Sequence, residues 1–194
     1  MSTFLFIDSG LRDREQFKNP AEFTIKKEQI SGWFRAARTV RAHPANAPAK
    51  PLEFATSIHI KKMITPYTDD LANLPVIFVD LHSQSYNDSY LISTLEGTNR
   101  DARFTLELHK IQNDSAGDPL WIHWKPVIDE QVTRFKRDEP VFFRVFTRNG
   151  TTLPLTDAEP PQSADPFSQV IAEFEITPYI RDDDYQENLV DTST

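Results

Sequence analysis

The chain has 194 residues, a formal charge of −8 and a pI near 5.1, the length of one domain with a proper core. Its acidity opposes general affinity for nucleic acid, which needs Lys and Arg to displace counterions. The absence of Cys excludes disulfides, thiolate metal sites and a cysteine nucleophile; with only 5 Gly a phosphate-cradling loop is not expected.

The chain opens on Phe4-Leu5-Phe6-Ile7, an apolar run too short for a clean period but able to anchor a strand. Asp8, Ser9 and Gly10 follow as turn residues, because Asp and Ser side chains bond nearby backbone and Gly accepts any φ. Arg12, Asp13 and Arg14 alternate in charge, and Asn19-Pro20 is a second turn signal. Phe23 and Ile25 then alternate with Glu22, Thr24 and Lys26 as in a half-buried strand. Read locally, this is an N-terminal extension that docks and enters the first sheet strand. The Asp-Ser…Arg-Asp-Arg run, the Asn-Pro and the Phe-bearing strand also resemble the start of penton and minor capsid proteins of large eukaryotic double-stranded DNA viruses. Gly10-Leu11 lies inside the run, so the match is approximate. The resemblance is clearest up to Ile25 and beyond it rests on a looser pattern of strands.

Ile30 to Ala42 carries Trp33 and Phe34 with Arg35, Arg38, Arg41 and then His43. A helical period groups Ile30, Trp33, Phe34 and Ala37, but Thr39 and Val40 suit a strand, which is preferred here. It is the main basic concentration, read as a solvated face or partner contact, with an inner-surface or nucleic-acid role as the alternative. His43 to Pro51 holds three prolines and is a loop. Phe54 to Ile64 alternates as a one-sided strand, and Pro66 to Asn73 is a turn-rich connection. Leu74 to Leu81 is apolar enough for a strand buried on both faces. Ser83 to Tyr90 is a polar loop; Tyr90, Ile92 and Leu95 suit a short strand or turn.

Phe104, Leu106 and Leu108 alternate with Thr105, Glu107 and His109, and Gln112 to Pro119 has hairpin-loop composition. Trp121, Ile122 and Trp124 begin the returning strand. Asp129 to Asp138 is charged, with Val132 and Phe135 marking a helical turn or a short strand. Val141 to Thr147 is a further strand, and Asn149-Gly150 suits a two-residue hairpin turn. Asp157 to Pro166 reads as loop. Ala172 to Thr177 alternates with Phe174 and Ile176 inward. From Arg181 the chain is polar and acidic, with too little apolar surface to order itself alone.

These features predict an all-β protein, since there are about eight strand candidates and little helix. Long connections favour a single jelly-roll β-sandwich over a tight meander, which is also what the resemblance implies. The expected organisation is an N-terminal arm over residues 1–20, the jelly-roll domain over 21–181 and a polar acidic tail over 182–194.

Candidate chemistry is thin. His43, His59, His82, His109 and His123 show no zinc-like spacing, although His59, His109 and His123 lie in strands able to converge as in a cupin. No nucleophile elbow is present. Asp182 to Asp184 suits a solvated tail better than a calcium loop. Trp121 and Trp124 are three positions apart, so a strand sends them to opposite sides, which weakens a sugar-stacking platform with Trp33.

The function that the resemblance implies is a structural capsid protein, a penton subunit or a minor capsid protein, acting by assembly rather than as an enzyme and with no cofactor or metal. Its expected partners are further copies, with a pentamer favoured, and the major capsid protein. No run reaches the ~18 apolar residues of a membrane span and no signal-peptide core is seen, so a soluble protein made in the cytosol is expected; the resemblance implies assembly in the host cytoplasm and residence in the virion. Asp8, Arg12, Asp13, Arg14, Asn19, Pro20 and Phe23 are the candidate assembly residues, the charged ones ordering the arm through Arg–carboxylate pairs. Exposed charge of little energetic weight is the plainer account of them. A carbohydrate-binding β-sandwich module and a cupin-like metalloenzyme are the alternatives.

Overall fold

The computed structural model describes residues 3–26, 53–83, 104–128, 130–136, 139–160 and 162–178. The strands are β1 (Thr3–Asp8), β2 (Glu22–Ile25), β3 (Glu53–Pro66), β4 (Val76–Ser83), β5 (Phe104–Asn113), β6 (Pro119–Ile128), β7 (Glu130–Lys136), β8 (Val141–Phe146) and β9 (Ile171–Pro178). A single helical turn, α1 (Asp69–Ala72), and two 3-10 turns, Ser9–Leu11 and Pro166–Ser168, complete the described elements. The protein is all-β. Every pairing is antiparallel, in the order β1-β9-β3-β6-β5-β4-β8-β2, with β7 pairing the first half of β3.

Side-chain alternation explains most of the strands. Phe23 and Ile25 of β2, Val141, Phe143 and Val145 of β8, and Ala172, Phe174 and Ile176 of β9 are all buried. Successive residues of a strand face opposite sides, so each of these strands sends one row inward. Each large apolar side chain so buried stabilises the fold by about 1.5–3 kcal/mol. In β4, Ile77, Val79 and Leu81 face the core while Phe78 is only half-buried, so the run expected to be buried on both faces has one dominant inner face.

The sheet is curled. Phe104 of β5 and Phe174 of β9 stand three places apart in the strand order, a gap of about 14 Å in a flat sheet. Their ring centroids are 5.6 Å apart, which requires the sheet to wrap around a common core.

Several elements differ from the sequence-based expectation. Residues 3–8, expected as part of an arm, form β1, at the end of the strand order among the described residues and registered on β9 from Thr3↔Ile176 to Asp8↔Ile171. Leu5 and Ile7 point into the core while Phe4 and Phe6 point out; apolar residues on both faces hide the period. β3 is longer than expected and changes phase. Ile58 and Ile60 are buried, then Met63 and Thr65, because a register irregularity between Ile60 and Lys62 inserts one residue. The turn-rich stretch after β3 contains α1, whose Leu71 N–H is capped by Thr68 Oγ1 at 3.2 Å. Of the two readings of the charged stretch 129–138, a helical turn or a short strand, the strand is the one found, as β7. The Asn149-Gly150 turn is a three-residue loop closed by Thr147 N–H to Thr151 O at 2.9 Å, with Gly150 at φ 79°. The readings of Ile30–Ala42, His43–Pro51, Tyr90–Leu95 and the tail 182–194 lie outside the described residues.

Candidate functional site

The segment between β1 and β2 folds around one guanidinium. Asp8 starts it: its Oδ1 accepts from the Gly10 N–H at 2.8 Å and turns the chain into Ser9–Leu11. A Cβ at position 10 would sit 3.1 Å from that same oxygen, so glycine leaves the cap its room. Ser9 ties this turn to the last strand. Its N–H donates to Val170 O at 3.0 Å, and its Oγ both donates to Gln169 Oε1 and accepts from Val170 N–H at 2.8 Å.

Arg12 then reaches inward. Nε donates to Phe17 O at 2.8 Å, Nη1 to Ser9 O at 2.7 Å and Gln169 Oε1 at 2.9 Å, and Nη2 to Lys18 O at 2.9 Å and Asp157 Oδ2 at 3.0 Å. A guanidinium has five N–H donors, and each has an acceptor here. The side chain is only 1% exposed, a burial tolerated because nothing is left unsatisfied.

Asp157 is the counter-charge. Its Oδ2 takes Arg12 and also Arg14 Nε at 2.9 Å. Its Oδ1 takes the Ala158 and Asp165 N–H groups at 2.8 and 3.0 Å. Burial pushes this carboxyl up, but the Asp165 N–H, Arg12, Gln169 and the Ala158 N–H together hold it below the ordinary Asp value. For Arg12, desolvation outweighs Asp157 and lowers its value. Arg14 also holds the 157–162 loop through Gln162 O at 2.6 Å and Ala158 O. Asp165 caps the second 3-10 turn through the Phe167 N–H and Ser168 Oγ, both at 2.9 Å, and its own carbonyl accepts from Gln169 Nε2 at 2.7 Å.

The other expected assembly residues are placed nearby. Asp13 is partly exposed, with Oδ2 3.1 Å from Lys26 Nζ and Oδ1 accepting from the Gln16 N–H. Its value is lowered, first by the Lys26 hydrogen bond. Asn19 Oδ1 accepts from Ala21 N–H and its Nδ2 donates to Leu153 O, both at 2.8 Å. Pro20 is buried, and Phe23 packs on Phe143 with centroids 5.1 Å apart. Arg12 and Arg14 thus pair with a carboxylate inside the same chain. Arg12 has no N–H left for a neighbour, so any bearing it has on assembly comes through shaping the segment. Sequence reasoning gave Ser9 only as a turn residue and missed Asp157 and Gln169; two Arg two positions apart were the only hint that a buried acid was needed.

The residues of the alternative readings do not gather. His59, His82, His109 and His123 lie on four strands, and no three potential metal ligands cluster among the described residues. His123 Nε2 donates to Gln112 Oε1 at 2.7 Å, and its value is lowered by burial, then by Lys110, Lys62 and His109. Trp124 is buried, donating to Thr65 Oγ1 at 2.9 Å. Trp121 is half-buried on the other side, against Phe167. Trp33 and His43 lie outside the described residues. A cleft of about 540 Å³ opens between Phe17 and Phe142, with Lys26 and His82 at its wall. His82 Nδ1 is 2.7 Å from Asp80 Oδ2 there.

No protein-family model matches this chain, and no curated protein matches it significantly.

Proposed function

We propose that this chain is a structural subunit of an icosahedral virus shell, a penton or minor capsid protein, and that its curled sheet is a single jelly roll. The observation that carries this reading is the nested pairing. β1 pairs with β9, β2 with β8, β3 with β6 and β4 with β5. This is the ladder of one long folded ribbon. Rolling that ribbon brings β9 against β3 and β8 against β4; β5 also pairs β6 and joins the two halves, and β7 adds to β3. That wiring is the one expected of paired Greek keys in a jelly roll.

The resemblance of the first residues to capsid proteins supports the same reading, because they form a built element rather than loose charge. Function follows by assembly. A rigid wall carries loops and chain ends to further copies and to the major capsid protein, and a heterologous patch closes a ring. No catalytic step, cofactor or metal is invoked, and the proposed location is the virion.

Native mass measurement of the purified protein, with its localisation in an electron-microscopy map of a particle, tests the proposal. Pentamers or defined density at vertices or facets are expected. A chain absent from particles ends the reading.

A further inference from the structure

Three of the large exposed apolar side chains, Phe4, Phe6 and Ile171, share one face of the sheet. Phe4 and Phe6 are 56% and 65% exposed, Leu11 73%, Phe167 54% and Ile171 36%; elsewhere among the described residues only Ile111 and Val127 stand out. Those five lie on β1, β9 and the turns that adjoin them. Phe4, Phe6 and Ile171 together present on the order of 300 Å² of apolar surface, within the range of the largest patch on a soluble monomer.

β1 is also the end of the strand order, with a neighbour on one side only among the described residues. Thr3-Phe-Leu-Phe-Ile-Asp8 carries no Pro and no Lys, two devices that usually guard an open edge. A six-residue edge alone is far too small for a stable interface of roughly 800 Å² per partner, so the adjoining face must take part.

The charges on that face indicate the occupant. Phe4 lies opposite Glu175 and Phe6 opposite Glu173 on β9; these in turn lie opposite His59 and Lys62 on β3. Lys61 adds to the third row and contacts Glu175 at 2.7 Å. The outer face is therefore aromatic, acidic and basic in successive rows. A twofold axis along the strands, between β9 and β3, sets the acidic row of one copy against the basic row of the other. Such self-complementarity is what an isologous contact requires.

We infer that the outer face of β1, β9 and β3 is a docking surface for a second copy of this chain, about a twofold axis. The contact is separate from any ring-forming one and does not depend on the shell reading.

Native mass spectrometry and sedimentation velocity test it. The wild-type chain forms a dimer, or pairs of whatever ring it closes into, and the Phe4→Ser/Phe6→Ser variant loses that pairing while circular dichroism shows it folded. Ile111→Ser, on β5 beyond the contact, remains dimeric. Glu173→Lys and Lys62→Glu each weaken the dimer by about tenfold, and an equimolar mixture of the two variants recovers it. Recovery on mixing cannot come from the Lys62–Glu173 pair within one chain. A wild-type chain that stays monomeric, a dimer indifferent to the Phe changes, or single reversals not rescued by mixing overturns the inference. A dimer that never enters a particle leaves it standing and ends the shell reading instead.

Discussion

Arg12 and Asp157 are 145 positions apart and meet at 3.0 Å, with side chains 1% and 2% exposed. The pair joins the segment after β1 to the loop before β9, and Arg14 shares the same carboxylate oxygen. One buried and one partly buried cation thus depend on one anion. Asp157→Ala should destabilise the protein by about 3–5 kcal/mol, because it leaves both guanidinium groups uncompensated. Thermal and urea unfolding measure this. Arg12→Lys should cost about 2 kcal/mol, since an ammonium cannot replace a planar fork with five donors.

The same carboxylate makes stability depend on acid. Asp157 is held below the ordinary value of 3.8 in the folded state. A depressed value means that the unfolded chain takes up the proton first. Its contribution is full above the unfolded value and is lost as pH falls through the folded one. Wild-type urea midpoints should drop steeply from about pH 5 to about pH 3. Asp157→Asn should start lower and show a shallower slope over that interval.

Trp124 donates its only side-chain N–H to Thr65 Oγ1, and Thr65 is fully buried. Thr65→Val keeps the shape and removes the acceptor. An unsatisfied buried donor costs about 1–3 kcal/mol, so the melting temperature should fall while the near-ultraviolet tryptophan signal persists.

Gly150 holds φ 79° in the loop after β8. Gly150→Ala should cost about 1 kcal/mol, because a Cβ crowds the carbonyl in that left-handed conformation. Urea denaturation gives the value.

The strands that sequence revealed are those with one wet and one dry face. Phe23-Thr-Ile25 and Ala172 to Ile176 alternate cleanly, and both are as expected. β1 escaped full recognition because Phe4 and Phe6 put apolar side chains on its outer face too. The phase change in β3 was invisible, since an inserted residue at Ile60–Lys62 has no composition of its own. At the site, Arg12 and Arg14 stood out as a pair in need of a carboxylate. Asp157 did not, because an acid among prolines reads as loop and its burial is set by groups far along the chain. Gln169 was equally hidden; its role depends on which turn it meets.

The closure around Ser9 and Arg12 also has a bearing on synthesis. Val170 and Gln169, the partners of Ser9, leave the ribosome some 160 residues after it. The first strand must therefore wait, unpaired and with apolar side chains on both faces, until β2 to β8 and the start of β9 have emerged. Contacts this remote slow folding, and a nascent chain so arranged has prolonged need of protection from its neighbours on the same messenger.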